Sequence, residues 1–80
     1  DGVSLEEVKD FEIYFYPNPT IGNITFEKTI EKIEVISQIG KILLTFNNTS
    51  AINISDLPKG VYYLRLYTNN QPILQKIIKQ

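Results

Sequence analysis

The sequence predicts an all-β domain, a sandwich of about seven short strands, and two observations support this class. From residue 11 onward, short runs rich in Ile, Val, Phe, Tyr and Thr alternate with clusters of Gly, Pro, Asn and Asp, the pattern expected of strands and turns. The runs recur about every 10 residues, which is typical of sandwiches, and the apolar spacing of a helix is never sustained.

The candidate strands cover residues 11–16, 23–27, 32–37, 41–46, 51–54, 61–68 and 73–79. In the second, Ile24 and Phe26 alternate with polar residues, and in the fifth, Ile52 and Ile54 do the same. Such alternation indicates strands with one buried face and one face in water.

The run over residues 61–68 divides most clearly into two faces. Successive side chains of a strand point to opposite sides, so one face should join the core: Tyr62, Leu64 and Leu66. The other face should be more exposed: Tyr63, Arg65 and Tyr67.

Turn residues punctuate the chain. We expect tight hairpins at Gln38-Ile39-Gly40 and at Asn69-Asn70, since Gly and Asn tolerate left-handed dihedrals. Leu57, Gly60 and Tyr62 are predicted to form one corner, with the Tyr62 hydroxyl tying it down as in the tyrosine corner of related sandwiches.

The stretch Tyr16-Pro17-Asn18-Pro19-Thr20-Ile21-Gly22 should be a rigid extended turn, because its two prolines fix φ and lack N–H donors. We expect no sheet ladder to pass through it.

Length and charge limit the organisation of the chain. Eighty residues allow one domain with a thin core; we assign residues 1–10 to a linker and residues 11–80 to the domain. The chain begins at Asp1 and contains no Met, so we expect it to be a piece of a longer precursor. No apolar run approaches the roughly 20 residues of a membrane-spanning helix, so the domain should not be membrane-embedded.

Catalysis is not expected. The chain has neither His nor Cys, which removes the usual general base, thiol nucleophile and commonest metal ligand, and we expect no cofactor. Ser55-Asp56 is interpreted as a capped turn. Glu31 and Glu34 are interpreted as a solvated edge, because residues three apart on a strand face opposite ways.

Nucleic-acid binding is not expected either. Residues 57–80 carry a net charge of +4 against −3 for residues 1–10, but these cations form no arginine cluster or long basic run.

Three motifs then appear in order: Tyr16-Pro17-Asn18-Pro19 with Gly22, Ile33 to Gly40-Lys41, and Leu57-Pro58-Lys59-Gly60-Val61-Tyr62 before a Lys-bearing C-terminus. Together they resemble the type A sorting domain of the type IX secretion system of Bacteroidetes over about residues 14–80. The chain departs from this family at one place. The family often has Asp or Asn just before the hairpin glycine, whereas here Ser37, Gln38 and Ile39 precede Gly40, so we expect Ile39 to be exposed.

The resemblance implies an immunoglobulin-like antiparallel sandwich that acts as a C-terminal secretion signal for an attached N-terminal cargo. The implied partners are the type IX translocon, an outer-membrane shuttle protein and a surface sortase, which usually removes the signal. The implied location is the periplasm in transit and then the cell surface or the medium, and cleavage should lie in or before residues 1–10.

The residues expected to serve recognition or to hold the signal fold are Tyr16, Pro17, Asn18, Pro19, Gly22, Gly40, Lys41, Leu57, Gly60, Tyr62, Lys76 and Lys79. We expect the turn over residues 17–22 and the last strand, with Lys76 and Lys79, to form the surface that a receptor recognises. For the prolines and glycines, the fold's need for those turns is an equally good explanation.

Two other functions stay open at this point. Tyr14, Tyr63 and Tyr67, with Arg65, are candidates for an aromatic surface of a carbohydrate-binding or adhesive module. An inert spacer domain of a surface enzyme is the other alternative, although Lys79-Gln80 has the character of a natural chain end.

Overall fold

A computed structural model of the chain describes residues 13–68 and 71–80. It contains five strands: β1 (Phe15–Tyr16), β2 (Asn23–Ile36), β3 (Ile42–Asn53), β4 (Gly60–Thr68) and β5 (Gln71–Lys79). The predicted all-β class is confirmed. The predicted linker over residues 1–10 and the hairpin at Asn69-Asn70 lie outside the described residues.

The strands form one antiparallel sheet in the order β1-β2-β4-β5, with β3 on the other edge of β2. The first half of β2 lies between β1 and β3, through pairs such as Phe15 with Phe26 and Ile24 with Ile52. The second half lies between β4 and β3, and β5 pairs with β4 along its whole length. β2 therefore connects all parts of the sheet.

The number of strands differs from the prediction. Residues 23–27 and 32–37 belong to one continuous strand, β2, and residues 41–46 and 51–54 are parts of β3. No Gly or Pro interrupts either strand, and residues 28–31, which the prediction leaves between two strands, belong to β2. They overlap a bulge in which residues 26–29 lie opposite the single residue 50 of β3. The immunoglobulin-like sandwich of seven short strands is not confirmed.

The sheet curls back on itself. Thr20 hydrogen-bonds to Asn23 at the start of β2 and bridges to Lys79, which pairs with Gly60 at the start of β4. Three residues further along β4, Tyr63 pairs with Ile36 at the end of β2. A straight 14-residue strand would separate its ends by about 43 Å, so this chain of contacts requires β2 to bend, and the bulge provides the bend.

The curl encloses one apolar core. Its fully buried members are Ile24, Ile30, Ile33, Val35, Ile54, Leu64, Leu66 and Ile77, and Ile13, Phe26, Ile52 and Tyr62 complete the cluster. The prediction that Tyr62, Leu64 and Leu66 face the core is confirmed. No helix within residues 13–68 and 71–80 is long and apolar enough to cross a membrane.

The outer face of the sheet carries a polar cluster that the sequence did not reveal. Glu34, expected on a solvated edge, is only 6% exposed, and this interpretation is wrong because β3 and β4 flank it on both sides. Arg65 Nη1 lies 3.0 Å from Glu34 Oε1, the Tyr67 hydroxyl donates to the same oxygen at 2.9 Å, and Lys32 Nζ lies 3.5 Å from Oε2.

Burial by itself would raise the pKa of Glu34. The hydrogen bond from Tyr67 and the charges of Lys32 and Arg65 outweigh that effect and hold the pKa below its ordinary value.

Candidate recognition surface at one end of the sheet

The turn over residues 17–22 follows β1 and precedes β2. The peptide bonds before Pro17 and Pro19 are cis. Thr20 is 1% exposed, and its Oγ1 accepts from the Gly22 N–H at 2.9 Å and donates to the Asn23 carbonyl at 2.8 Å. The turn thus has its own internal hydrogen bonds, and apart from the bridge at Thr20 it joins no strand pairing among the residues that the structure describes, as expected for a segment with two prolines.

This turn is held against the free edge of β5. The Asn18 side chain donates from Nδ2 to the Lys76 carbonyl at 3.2 Å and accepts the Ile78 N–H at Oδ1 at 3.1 Å. Thr20 continues the contact through its backbone, donating to the Ile78 carbonyl and accepting from the Gln80 N–H. An asparagine amide thus substitutes for the backbone of a neighbouring strand, and the edge over residues 76–80 is covered.

Gly22 lies where two turns meet. Its carbonyl accepts the Ile54 N–H at 2.8 Å, and a Cβ atom on Gly22 would lie 2.8 Å from Ser55 Cβ. That distance is shorter than real Cβ contacts allow. Glycine is therefore required here by close approach as well as by its φ of +155°.

The predicted corner between β3 and β4 is present. The Tyr62 side chain is buried and its hydroxyl donates to the Pro58 carbonyl, four residues upstream. Leu57 packs against the core, and its N–H donates to the Ile54 carbonyl at 3.0 Å. The prediction that the Tyr62 hydroxyl ties down this corner is confirmed.

The predicted hairpin between β2 and β3 is also present. Gly40 has a φ of +90°, which glycine adopts without steric cost, and its N–H donates to the Ser37 carbonyl at 2.9 Å. Ser37 donates from its backbone to the Lys41 carbonyl and accepts the Lys41 N–H at Oγ. Ile39, at the tip, is 89% exposed, as predicted.

The turn over residues 17–22, the corner before β4 and the hairpin after β2 lie at one end of the sheet. Gly60 pairs with Lys79, Thr20 bridges to Lys79, and Tyr63 pairs with Ile36 just before the hairpin. The structure therefore gathers the predicted site residues in one region: Tyr16 at the end of β1, the turn over residues 17–22, the hairpin with Gly40 and Lys41, the corner with Leu57, Gly60 and Tyr62, and the end of β5.

The two lysines of β5 differ in environment. Lys76 is exposed, whereas Lys79 is 8% exposed, with Nζ 3.5 Å from the Gln80 carbonyl. Lys76 is the one that presents its charge to solvent. Thr20 was missed by the sequence reasoning, because a threonine in a polar turn carries no pattern that predicts burial.

The three tyrosines of the possible aromatic surface are divided between two parts of the sheet. Tyr63 and Tyr67 lie on the outer face of β4, whereas Tyr14 precedes β1, which pairs with the other half of β2. The Tyr67 hydroxyl and the Arg65 guanidinium are hydrogen-bonded to Glu34.

Within residues 13–68 and 71–80, no three residues among His, Cys, Asp and Glu are placed to hold a metal ion.

The fold and this end surface define a small all-β domain whose turns are tied to its last strand, an architecture suited to presenting fixed backbone groups to a partner. A family model described as the secretion system C-terminal sorting domain matches residues 14–80, and the chain belongs to this family. The domain is a C-terminal sorting signal for type IX secretion, and the family is not an enzymatic one. No curated protein matches the chain.

Proposed function

We propose that the type IX machinery recognises this domain through the surface formed by residues 17–22 and the end of β5, and so exports a cargo attached ahead of it. Residues 1–10 would link that cargo to the domain, and cleavage would lie in or before them. The partners would be the translocon, an outer-membrane shuttle protein and a sortase. The domain would pass through the periplasm to the cell surface, and it would carry no catalytic activity of its own.

One observation supports this surface above others. The Asn18 amide bonds to both Lys76 and Ile78, and so joins two segments 58 and 60 residues apart in sequence. A receptor that contacts this region meets a turn and a strand already in fixed positions. Little conformational entropy is then lost on binding, which favours recognition of a folded signal.

The finer form of the fold is part of the proposal. The bend in β2 turns its two halves toward one core, which supports an immunoglobulin-like arrangement of two layers built from long bent strands instead of seven short ones. An experimental structure of residues 1–80 would decide this, since a flat single-layered sheet would contradict it.

A secretion assay tests the recognition surface. Residues 1–80 are fused behind a reporter enzyme in a Bacteroidetes host, and the reporter is measured in the periplasm, on the cell surface and in the medium. The wild-type fusion should leave the cell. Removal of residues 76–80 and the single change Lys76→Glu should both retain the reporter in the periplasm.

The single change separates recognition from folding. Lys76 is exposed, so reversing its charge should leave the stability of the domain nearly unchanged. Lys28→Glu makes the same charge change at an exposed position in the β2 bulge and should be exported normally. Full export of both truncated and Lys76→Glu fusions would refute the proposed surface.

A further inference from the structure

A second surface feature lies beside the recognition surface. A groove of about 450 Å³ separates the hairpin after β2 from the start of β4. Its apolar walls come from Ile39, Leu43, Val61 and Tyr62, and two lysines, Lys41 and Lys59, also line it. The volume is within the range of sites that take a small ligand or a few side chains of a peptide.

The apolar part of the groove is not explained by the hairpin. The turn needs Gly40 for its φ of +90° and Ser37 for its hydrogen bonds. No hydrogen bond or core contact of the described residues requires isoleucine at position 39, yet its side chain is 89% exposed. An exposed isoleucine that borders a groove with apolar walls enlarges one contiguous apolar surface, and such surfaces mark interaction sites.

The charge of the groove selects one kind of occupant. Lys41 and Lys59 are both exposed, and no carboxylate is among the described residues that line the groove. Glu34, the buried carboxylate of the sheet, is already paired with Lys32 and Arg65. A ligand with carboxylates beside an apolar side chain would therefore match the groove in both respects.

We propose that this groove binds a short acidic and apolar segment of a partner protein in the export machinery. This inference rests on the proposed function and adds a second contact to it. Gly60, which lines the groove, pairs with Lys79 of the recognition surface, so one partner can reach both.

A polypeptide fits better than a lipid surface. A membrane accepts apolar groups that project from a protein, and among the apolar residues that line the groove Ile39 is the one that is largely exposed, which provides marginal binding. Leu43 and Val61 are half-buried walls of a concavity. An extended peptide can place a side chain between such walls while its acidic groups meet the two lysines.

A direct titration tests the binding. The ¹⁵N-labelled 80-residue chain is titrated with an acetylated peptide of alternating Asp and Leu, and amide shifts are followed by NMR. Shifts should concentrate at Ile39, Lys41, Lys59 and Val61, and should weaken as salt is added. Alternating Lys and Leu, and alternating Asp and Ser, should each bind at least about fivefold more weakly. Equal binding of all three peptides, or shifts elsewhere, would overturn the inference.

Matched variants complete the test. Lys41→Glu combined with Lys59→Glu should weaken binding of the Asp and Leu peptide about tenfold, and Ile39→Ser should weaken it as well, while Lys28→Glu leaves it unchanged. Unchanged amide spectra away from the groove show that each variant is folded. Anionic phosphatidylglycerol vesicles serve as a further probe, and tighter binding to them than to the peptide would overturn the choice of a polypeptide.

The export assay distinguishes this inference from the proposed function. If the wild-type fusion is exported and the groove variants are exported equally well, the groove inference fails and the proposed function stands. If the wild-type fusion stays in the periplasm, the proposed function fails whatever the groove binds.

Discussion

Asn18 should stabilise the domain by holding the turn over residues 17–22 to β5. Replacing it by Ala removes both side-chain hydrogen bonds, to the Lys76 carbonyl and from the Ile78 N–H. Each such bond contributes about 0.5–1.5 kcal/mol, and because both are solvent-exposed we expect a combined loss of about 1–2 kcal/mol in the free energy of unfolding. For a domain of this size, that corresponds to a fall in melting temperature of about 4–16 °C.

Two measurements check this prediction. Urea denaturation reports the global loss of stability, and native-state hydrogen exchange reports the Ile78 amide, which should exchange faster than in the wild type once its acceptor is gone. Asn18→Asp keeps that acceptor and loses the donor to the Lys76 carbonyl, so its effect on Ile78 exchange should be smaller.

Asn47→Ala is the matched control. Asn47 is exposed on β3, and its side chain makes no hydrogen bond within the described part of the chain. The control should leave the exchange rate of Ile78 unchanged. If Asn18→Ala also leaves it unchanged, the Asn18 amide does not hold the turn to β5 and the reasoning is refuted.

Three further predictions concern the supports of the end surface and the outer face. Tyr62→Phe should lower the free energy of unfolding by about 1 kcal/mol, whereas Tyr63→Phe, whose hydroxyl has no partner among the described residues, should have no effect; urea denaturation compares them. Gly22→Ala should lower the free energy of unfolding by about 1–3 kcal/mol, because the added Cβ would lie 2.8 Å from Ser55 Cβ. Adding Ser55→Gly should recover part of this loss, and no recovery would contradict the steric explanation. The pKa of Glu34 in the folded state lies below its ordinary value of 4.5. The stability that Glu34 contributes is therefore present above pH 4.5 and is lost as the pH falls through the pKa of the folded state. Thermal melts from about pH 7 to about pH 3 should therefore show a steeper loss for the wild type than for Glu34→Gln, and equal slopes would contradict this.

The supports of the fold and the proposed recognition surface share residues, which explains why sequence motifs by themselves do not separate the two roles. Gly22 and Gly40 lie in turns, Gly60 is the first residue of β4, and Tyr62 is buried with its hydroxyl bonded. Changes at these positions should act first on stability. Lys76 and Ile39 are exposed, so changes there are the better tests of recognition.

Several structural features were predictable because they depend on neighbouring residues. The alternation along residues 61–68 assigned Tyr62, Leu64 and Leu66 to the core, since strand periodicity is a property of the local chain. The hairpin at Gly40 and the break at Pro17 and Pro19 were predictable because glycine and proline restrict backbone geometry directly.

Other features depend on residues far apart in the chain, and these the sequence did not reveal. A polar stretch looks the same whether it is a loop between two strands or a bulge within one, so the sequence predicts two strands, 23–27 and 32–37, where the structure has one bent strand. Glu34 is buried because Arg65 and Lys32 come to it through strand pairing.

By itself, then, the sequence determined that the chain is all-β, where it turns and which residues of β4 face inward, because these features follow from local chemistry. It also determined which family the chain resembles, because that resemblance depends on short motifs in a fixed order. Only the tertiary structure decided that five strands form one curled sheet, that Asn18 bonds to a strand 58 residues away, and that two lysines flank an apolar groove. These depend on the register and curvature of the whole sheet, which are set by long-range packing that no short segment encodes.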